Sequence, residues 1–134
     1  MHILYMIISI NDHRTLKEIQ LEFSRYYPYL RLEFLQATER ETPFGNIDLH
    51  VKAGTIRKQH HTGELYIFNN TKVGELETMM QEQFGLSAEI YHYTKGGWIQ
   101  TDVTNMATLN ELNEQGRAAF HELHNVSAQS KNLY

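Results

Sequence analysis

Two kinds of side chain in this sequence can do chemistry: histidine, present eight times, and rings with a hydrogen-bonding edge, in eight tyrosines and one tryptophan. His121-Glu122-Leu123-His124 places two imidazoles three apart on one face of a helix, which is half of a zinc or iron site. The metalloprotease arrangement needs its histidines four apart, so that the glutamate between them can act as base, and the spacing here does not provide that. A complete site would also need His50, His60, His61 or a carboxylate brought from elsewhere in the chain. His121 and His124 are therefore the metal candidates, and solvent-facing histidines are the simpler reading. Nucleophilic catalysis has less support. There is no cysteine, none of Ser9, Ser24, Ser87, Ser127 and Ser130 sits in a glycine-flanked elbow, and no glycine-rich loop opens a helix. Glu39 and Glu41, like Glu75 and Glu77, stand where polar loops and helix starts put acids anyway. The sequence thus points away from an enzyme and implies no cofactor.

Binding is the better expectation. Tyr91, Tyr93 and Trp98 fall on a predicted hairpin, and rings with an apolar body and a polar tip suit an interface. Lys52, Arg57 and Lys58, with His60 and His61, form the one basic cluster, read either as a backbone-binding patch or as a solvated loop. The net charge is -4, and the acidic excess lies in the C-terminal half, which argues against a phosphate backbone as main partner. The longest apolar run, Ile3 to Ile8, is far short of the roughly 20 residues needed to cross a bilayer. It lacks a basic leader and a small-residue cleavage site. With no cysteine, a soluble protein of the reducing cytoplasm is expected.

The elements that must position these residues are read from periodicity. His2 to Ile10 predicts a strand covered on both sides. Thr15-Leu16-Lys17-Glu18 is a capping box, and Leu16, Ile19, Phe23 and Tyr26 carry a helix to about Tyr27, where Pro28 stops it. Leu30, Leu32 and Phe34 alternate with Arg31 and Glu33 as a strand. Ile47, Leu49 and Val51 alternate as a further strand, a candidate sheet edge, followed by a flexible connection over 53–63. Leu65 to Phe68 predicts a strand buried on both faces. Asn70 or Thr71 is expected to cap a helix with Val73, Leu76, Met80 and Phe84 on one stripe, which Gly85-Leu86 ends. Ala88 to Tyr93 and Trp98 to Thr101 form a hairpin around Lys95-Gly96-Gly97. Thr108-Leu109-Asn110-Glu111 caps a last helix, which Gly116 is expected to kink or split.

Thr15 to Phe34 and Lys72 to Tyr93 echo each other, as a repeated strand–helix–strand unit. Such a crossover ordinarily joins parallel strands. The expected fold is α+β: a mixed β-sheet with amphipathic helices mainly on one face, a ferredoxin-like two-layer sandwich built from two β-α-β units. A chain of 134 residues suits one domain, over 1–126, with a frayed tail at 127–134.

Leu65-Tyr66-Ile67-Phe68-Asn69, followed by a helix, a strand and a hairpin, resembles the first signature of the RNA recognition motif. That resemblance covers roughly 64–120 and implies single-stranded nucleic-acid binding through ring stacking, by Tyr66 or Phe68, Tyr91 and Trp98. Of Tyr66 and Phe68, at least one is expected in the core. Lys95-Gly96-Gly97-Trp98-Ile99 lacks the ring-glycine-ring pattern of the second signature. Val73-Gly74-Glu75-Leu76-Glu77, Phe84-Gly85-Leu86-Ser87, Tyr29 to Phe34 and Thr108 to Glu111 are also similar to small bacterial α/β proteins without an assigned activity, which implies a fold and no function. The leading expectation is a non-enzymatic interaction module that binds a protein partner or itself, forming a homo-oligomer. The alternatives are a single-stranded nucleic-acid binder and a metal-dependent enzyme at His121 and His124.

Overall fold

Thr15 begins the first helix as its capping box predicts. Its hydroxyl accepts from the Glu18 N–H at 3.1 Å, and the Glu18 carboxylate accepts from the Thr15 N–H at 3.2 Å. The computed structural model describes residues 5–35 and 48–132, with side chains described through 125. In chain order the elements are β1 (Tyr5–Ile10), α1 (Leu16–Tyr26), β2 (Leu30–Phe34), α2 (Ala53–Ile56), β3 (Gly63–Phe68), α3 (Val73–Phe84), β4 (Ala88–Thr94), β5 (Gly97–Gln100) and α4 (Leu109–Asn132). The fold is α+β, as the alternating periodicities require. None of the described helices is long and apolar enough to cross a membrane.

The strands form two antiparallel ladders, β1-β3 and β2-β4-β5, where one mixed sheet was expected. The reason lies in α1. Its Tyr26 hydroxyl reaches the Ile7 carbonyl at 3.5 Å, and its Gln20 amide donates to the Leu32 carbonyl at 2.9 Å. Arg14, just before the helix, donates to the Ser9 carbonyl at 3.0 Å. A helix whose side chains occupy edge groups of both β1 and β2 stands where a β1–β2 ladder would form. Each ladder therefore draws one strand from each unit. Leu16, Ile19, Phe23 and Tyr27 of the first unit and Val73, Leu76, Met80 and Phe84 of the second are all buried in one core with Ile8, Leu32, Leu65 and Ile90.

The two units match in their connections too. Thr15 forms a backbone bridge to Lys52, which precedes α2, and Lys72 forms one to Thr108, which precedes α4. The Ala53 N–H bonds the Arg14 carbonyl and the Leu109 N–H bonds the Thr71 carbonyl, each at 2.8 Å. Duplicated sequence pattern and duplicated hydrogen bonding coincide.

Several local expectations are revised. Asp48 to Lys52 is turn backbone entering α2, so the edge strand read at Ile47 to Lys52 is absent there; Ile47 itself lies outside the described residues. The Leu49 and Val51 carbonyls instead bond the N–H groups of Lys17 and Leu16, at 2.8 and 3.1 Å, which ties this turn to the start of α1. The connection over 53–63 carries α2 and the buried Ala53 and Arg57. Helix α3 has Lys72 at its N-cap with no side-chain cap, because the Thr71 hydroxyl is spent on the Phe68 N–H at 2.9 Å. Its far end closes as expected: Gly85 takes φ 65°, and the N–H groups of Gly85 and Leu86 bond the Gln81 and Met80 carbonyls. Gly116 neither kinks nor splits α4. A Cβ there would stand 2.8 Å from the Tyr29 Cβ, so glycine permits the helix to cross the β2–β4 end at close range. The α4 backbone stays helical through Asn132, past 126, where a tail was expected to begin.

Candidate interaction surface

The hairpin rings are where the sequence put them, but they are packed. Tyr93 and Trp98 are cross-strand partners with centroids 5.4 Å apart. Phe120 of α4 lies 5.9 Å from Tyr93 and 5.5 Å from Tyr29, and the Arg31 guanidinium sits 4.2 Å over the Trp98 ring. This group fastens α4, helped by the Tyr29 N–H donating to Asn113 Oδ1 at 2.9 Å. Tyr91 stands between Arg31 and Gln100, half-buried, with its phenol pushed up by burial and by Glu89 and Glu33. The three rings are thus engaged within the fold in different ways: Tyr93 packs against Phe120 of α4, Trp98 packs against Tyr93 under the Arg31 guanidinium, and Tyr91 lies beside its cross-strand neighbours.

The basic cluster is dispersed as well. Lys52 and Lys58 are exposed, while Arg57 is buried. Its Nε donates to Asp12 Oδ1 at 2.8 Å, and its Nη1 donates to the carbonyls of His61 and Phe84, at 2.7 and 3.2 Å. Nη2 lies 2.7 Å from the same Asp12 oxygen, close enough for ion pairing though not aligned as a hydrogen bond. A guanidinium at the C-terminal end of α3 also meets the negative end of that helix. His60 Nδ1 sits 2.9 Å from the other Asp12 oxygen. His60 and Arg57 together hold the Asp12 carboxyl below its ordinary range. Arg57 is a tie between the turn after β1, α2 and α3, so Lys52, Arg57 and Lys58 do not share one exposed face.

His121 and His124 are exposed on α4, where His124 stacks on Phe120 at 3.9 Å and its Nδ1 lies 2.8 Å from the Phe120 carbonyl oxygen. Among the described residues no group of three or more histidines, aspartates and glutamates is placed to hold a metal ion. A shallow groove beside α3 is lined by Gly74, Glu77, Thr78, Gln81, Glu82 and Val103. Glu77 Oε2 is buried there without a hydrogen-bond partner, and burial together with Glu89 pushes its carboxyl up to about 7.

The open aromatic surface is on the other ladder. The outward face of β1-β3 presents Tyr5, Tyr66 and Phe68, which are 52%, 44% and 41% exposed, while Leu65 and Ile67 turn into the core. Tyr5 lies 6.0 Å from Tyr66 and 6.3 Å from Phe68. The Tyr66 hydroxyl donates to Glu64 Oε2 at 2.9 Å, and the carboxylate raises its phenol. The expectation that β1 and β3 are covered on both sides, with one of Tyr66 and Phe68 in the core, is overturned. The two rings are two residues apart, hence on one face, and that face is open. The signal was present in Glu64-Leu65-Tyr66-Ile67-Phe68, where Glu64 marks the parity of the wet side. It was masked because tyrosine and phenylalanine look as oily as the residues they alternate with. Tyr5 joins them only through the ladder, which no local pattern reveals. No known protein family, curated protein or solved structure matches the chain.

Proposed function

We propose that this chain is a non-enzymatic interaction module that associates with itself through the β1–β3 ribbon. The observation that carries the reading is the cluster of Tyr5, Tyr66 and Phe68 on one exposed face. Adjacent rings left in water favour burial against a partner, at roughly 25 cal/mol per Å² of apolar surface removed. The module works in a reducing compartment, in keeping with a chain that uses no cysteine. Sedimentation velocity across a wide concentration range tests the reading: the native chain moves to a dimer or larger, and Tyr66→Glu, at an exposed position in the middle of the ring cluster, returns it to monomer. A native chain that stays monomeric throughout refutes it.

Single-stranded nucleic-acid binding is the second reading, favoured by the one observation that Tyr66 and Phe68 share an open face. The neighbouring Glu64 carboxylate and the interior position of Arg57 count against it, because both repel or withhold the charge a phosphate backbone requires. Anisotropy of a labelled mixed-sequence oligonucleotide at low salt separates the two. A rise that salt abolishes and Phe68→Glu removes would replace self-association with this reading.

A further inference from the structure

In an antiparallel ladder the N–H and C=O of one residue point to the same side, and alternate residues point to opposite sides. The Ile7 and Ser9 carbonyls are engaged by Tyr26 and Arg14, so these residues turn their backbone groups away from β3. Their ladder partners, Tyr66 and Glu64, therefore turn theirs away from β1. Phe68, the next residue of that parity, spends both groups in its turn: its N–H goes to Thr71 Oγ1 at 2.9 Å and its C=O to the Thr71 N–H at 3.0 Å. Outside the β1–β3 ladder, no hydrogen bond among the described residues reaches the backbone groups of Glu64 or Tyr66.

The β1 and β2 edges are managed differently. The β1 edge is sealed by Tyr26 and Arg14, and the β2 edge gives its Leu32 carbonyl to Gln20. In the second unit the residues matching Tyr26 and Arg14 are Gln83, whose side chain is exposed, and Thr71, which is occupied by Phe68. The duplicated architecture has kept the seal on one side and lost it on the other. An open edge flanked by exposed rings is a template for strand addition.

We infer that the strand added is the β3 of a second copy, in an antiparallel β3–β3 ladder with its two-fold axis at Leu65; this rests on the self-association proposed above. Pairing about Leu65 sets Glu64 opposite Tyr66 of the second copy, and the reverse. Every open backbone group on both copies then finds a partner, and Phe68, whose groups are taken, is not required. The register is complementary in charge as well. Each Glu64 carboxylate, already accepting from the Tyr66 hydroxyl of its own strand, gains a second tyrosine opposite it and avoids a like charge there. The result is a four-stranded sheet in which the Tyr66 rings of the two copies stand diagonally across the seam, within reach of each other, so that ring surface is buried as the edges pair.

Residue-resolved amide exchange on the full chain, at low and high protein concentration, tests the pairing. Glu64 and Tyr66 N–H groups slow by about tenfold or more at the higher concentration, while Leu65, already bonded within the β1–β3 ladder, changes little. Glu64→Pro removes an edge donor that faces away from β1, a placement edge strands tolerate, and yields a monomer. A dimer whose Glu64 and Tyr66 amides exchange at the same rate at both concentrations overturns the β3 ladder and leaves self-association standing. A strict monomer overturns both. Protection that follows an added peptide of mixed β-strand sequence, and not protein concentration, would give the edge to a foreign strand and overturn the inference.

Discussion

Replacing Glu77 by glutamine removes a charge that the fold has half buried and left unpaired. At the matching place in the first unit stands Gln20, whose amide donates to the Leu32 carbonyl of β2. In the second unit the corresponding carbonyl, that of Ile90, is already bonded by the Thr101 N–H at 2.8 Å as the chain leaves β5. Glu77 Oε2 has no partner, and Glu89 adds repulsion. A carboxyl moved from 4.5 to about 7 corresponds to at most about 3 kcal/mol of destabilisation once ionised. Solvent reaches part of the group, which lowers the expected cost to about 1–2 kcal/mol. The sign follows from the raised value. Below the unfolded pKa both states are protonated and nothing is lost. The penalty accumulates as pH climbs from the unfolded to the folded value and is complete above it. Denaturant unfolding of the native chain and Glu77→Gln in parallel, between about pH 4 and pH 8, should show curves that nearly meet at the acid end. They should separate toward the alkaline end, with the variant more stable by about 1–2 kcal/mol. Taking the difference between the two proteins cancels Asp12, Glu18 and Asp102, whose carboxyls are held low and titrate in the opposite sense. A difference that does not vary with pH, or a variant less stable than the native chain at the alkaline end, refutes the reasoning.

Other positions give independent checks. The Tyr27 hydroxyl is buried without a partner, and burial lifts its phenol to about 12; Tyr27→Phe should hold or raise stability by up to about 1 kcal/mol in chemical denaturation. Gly116→Val would push side-chain atoms into Tyr29 and the Tyr93 carbonyl. A loss of about 1–3 kcal/mol is expected, read with a change in Trp98 emission as α4 lifts from the ring group. Arg57→Leu strips Asp12 and the end of α3 of their cation. Because Asp12 keeps some contact with water, the expected cost is about 2–3 kcal/mol by thermal melting, below that of a fully interior pair. Gly85→Ala must hold φ 65° with a Cβ, for about 1 kcal/mol of lost stability, measured by circular dichroism melts.

Much of the scaffold was legible without coordinates because it is local. The capping boxes at Thr15 and Thr108, the stripe Val73-Leu76-Met80-Phe84, the left-handed Gly85 and the hairpin at Lys95-Gly96 each depend on residues within a turn or two of one another. So does the echo between the two units, since a shared period is a property of the string itself. Tertiary structure decided what neighbours in space decide. The α1 side chains at the β1 and β2 edges split one expected sheet into two. The close crossing of α4 made Gly116 a point of contact and packed Phe120 against Tyr93. The Asp12 carboxylate and the Phe84 and His61 carbonyls drew Arg57 inside, away from Lys52 and Lys58. The interaction surface belongs to this second kind. Tyr5 and Phe68 are far apart in sequence and meet only because β1 and β3 pair, and a ladder edge is open or sealed according to which helix lies beside it.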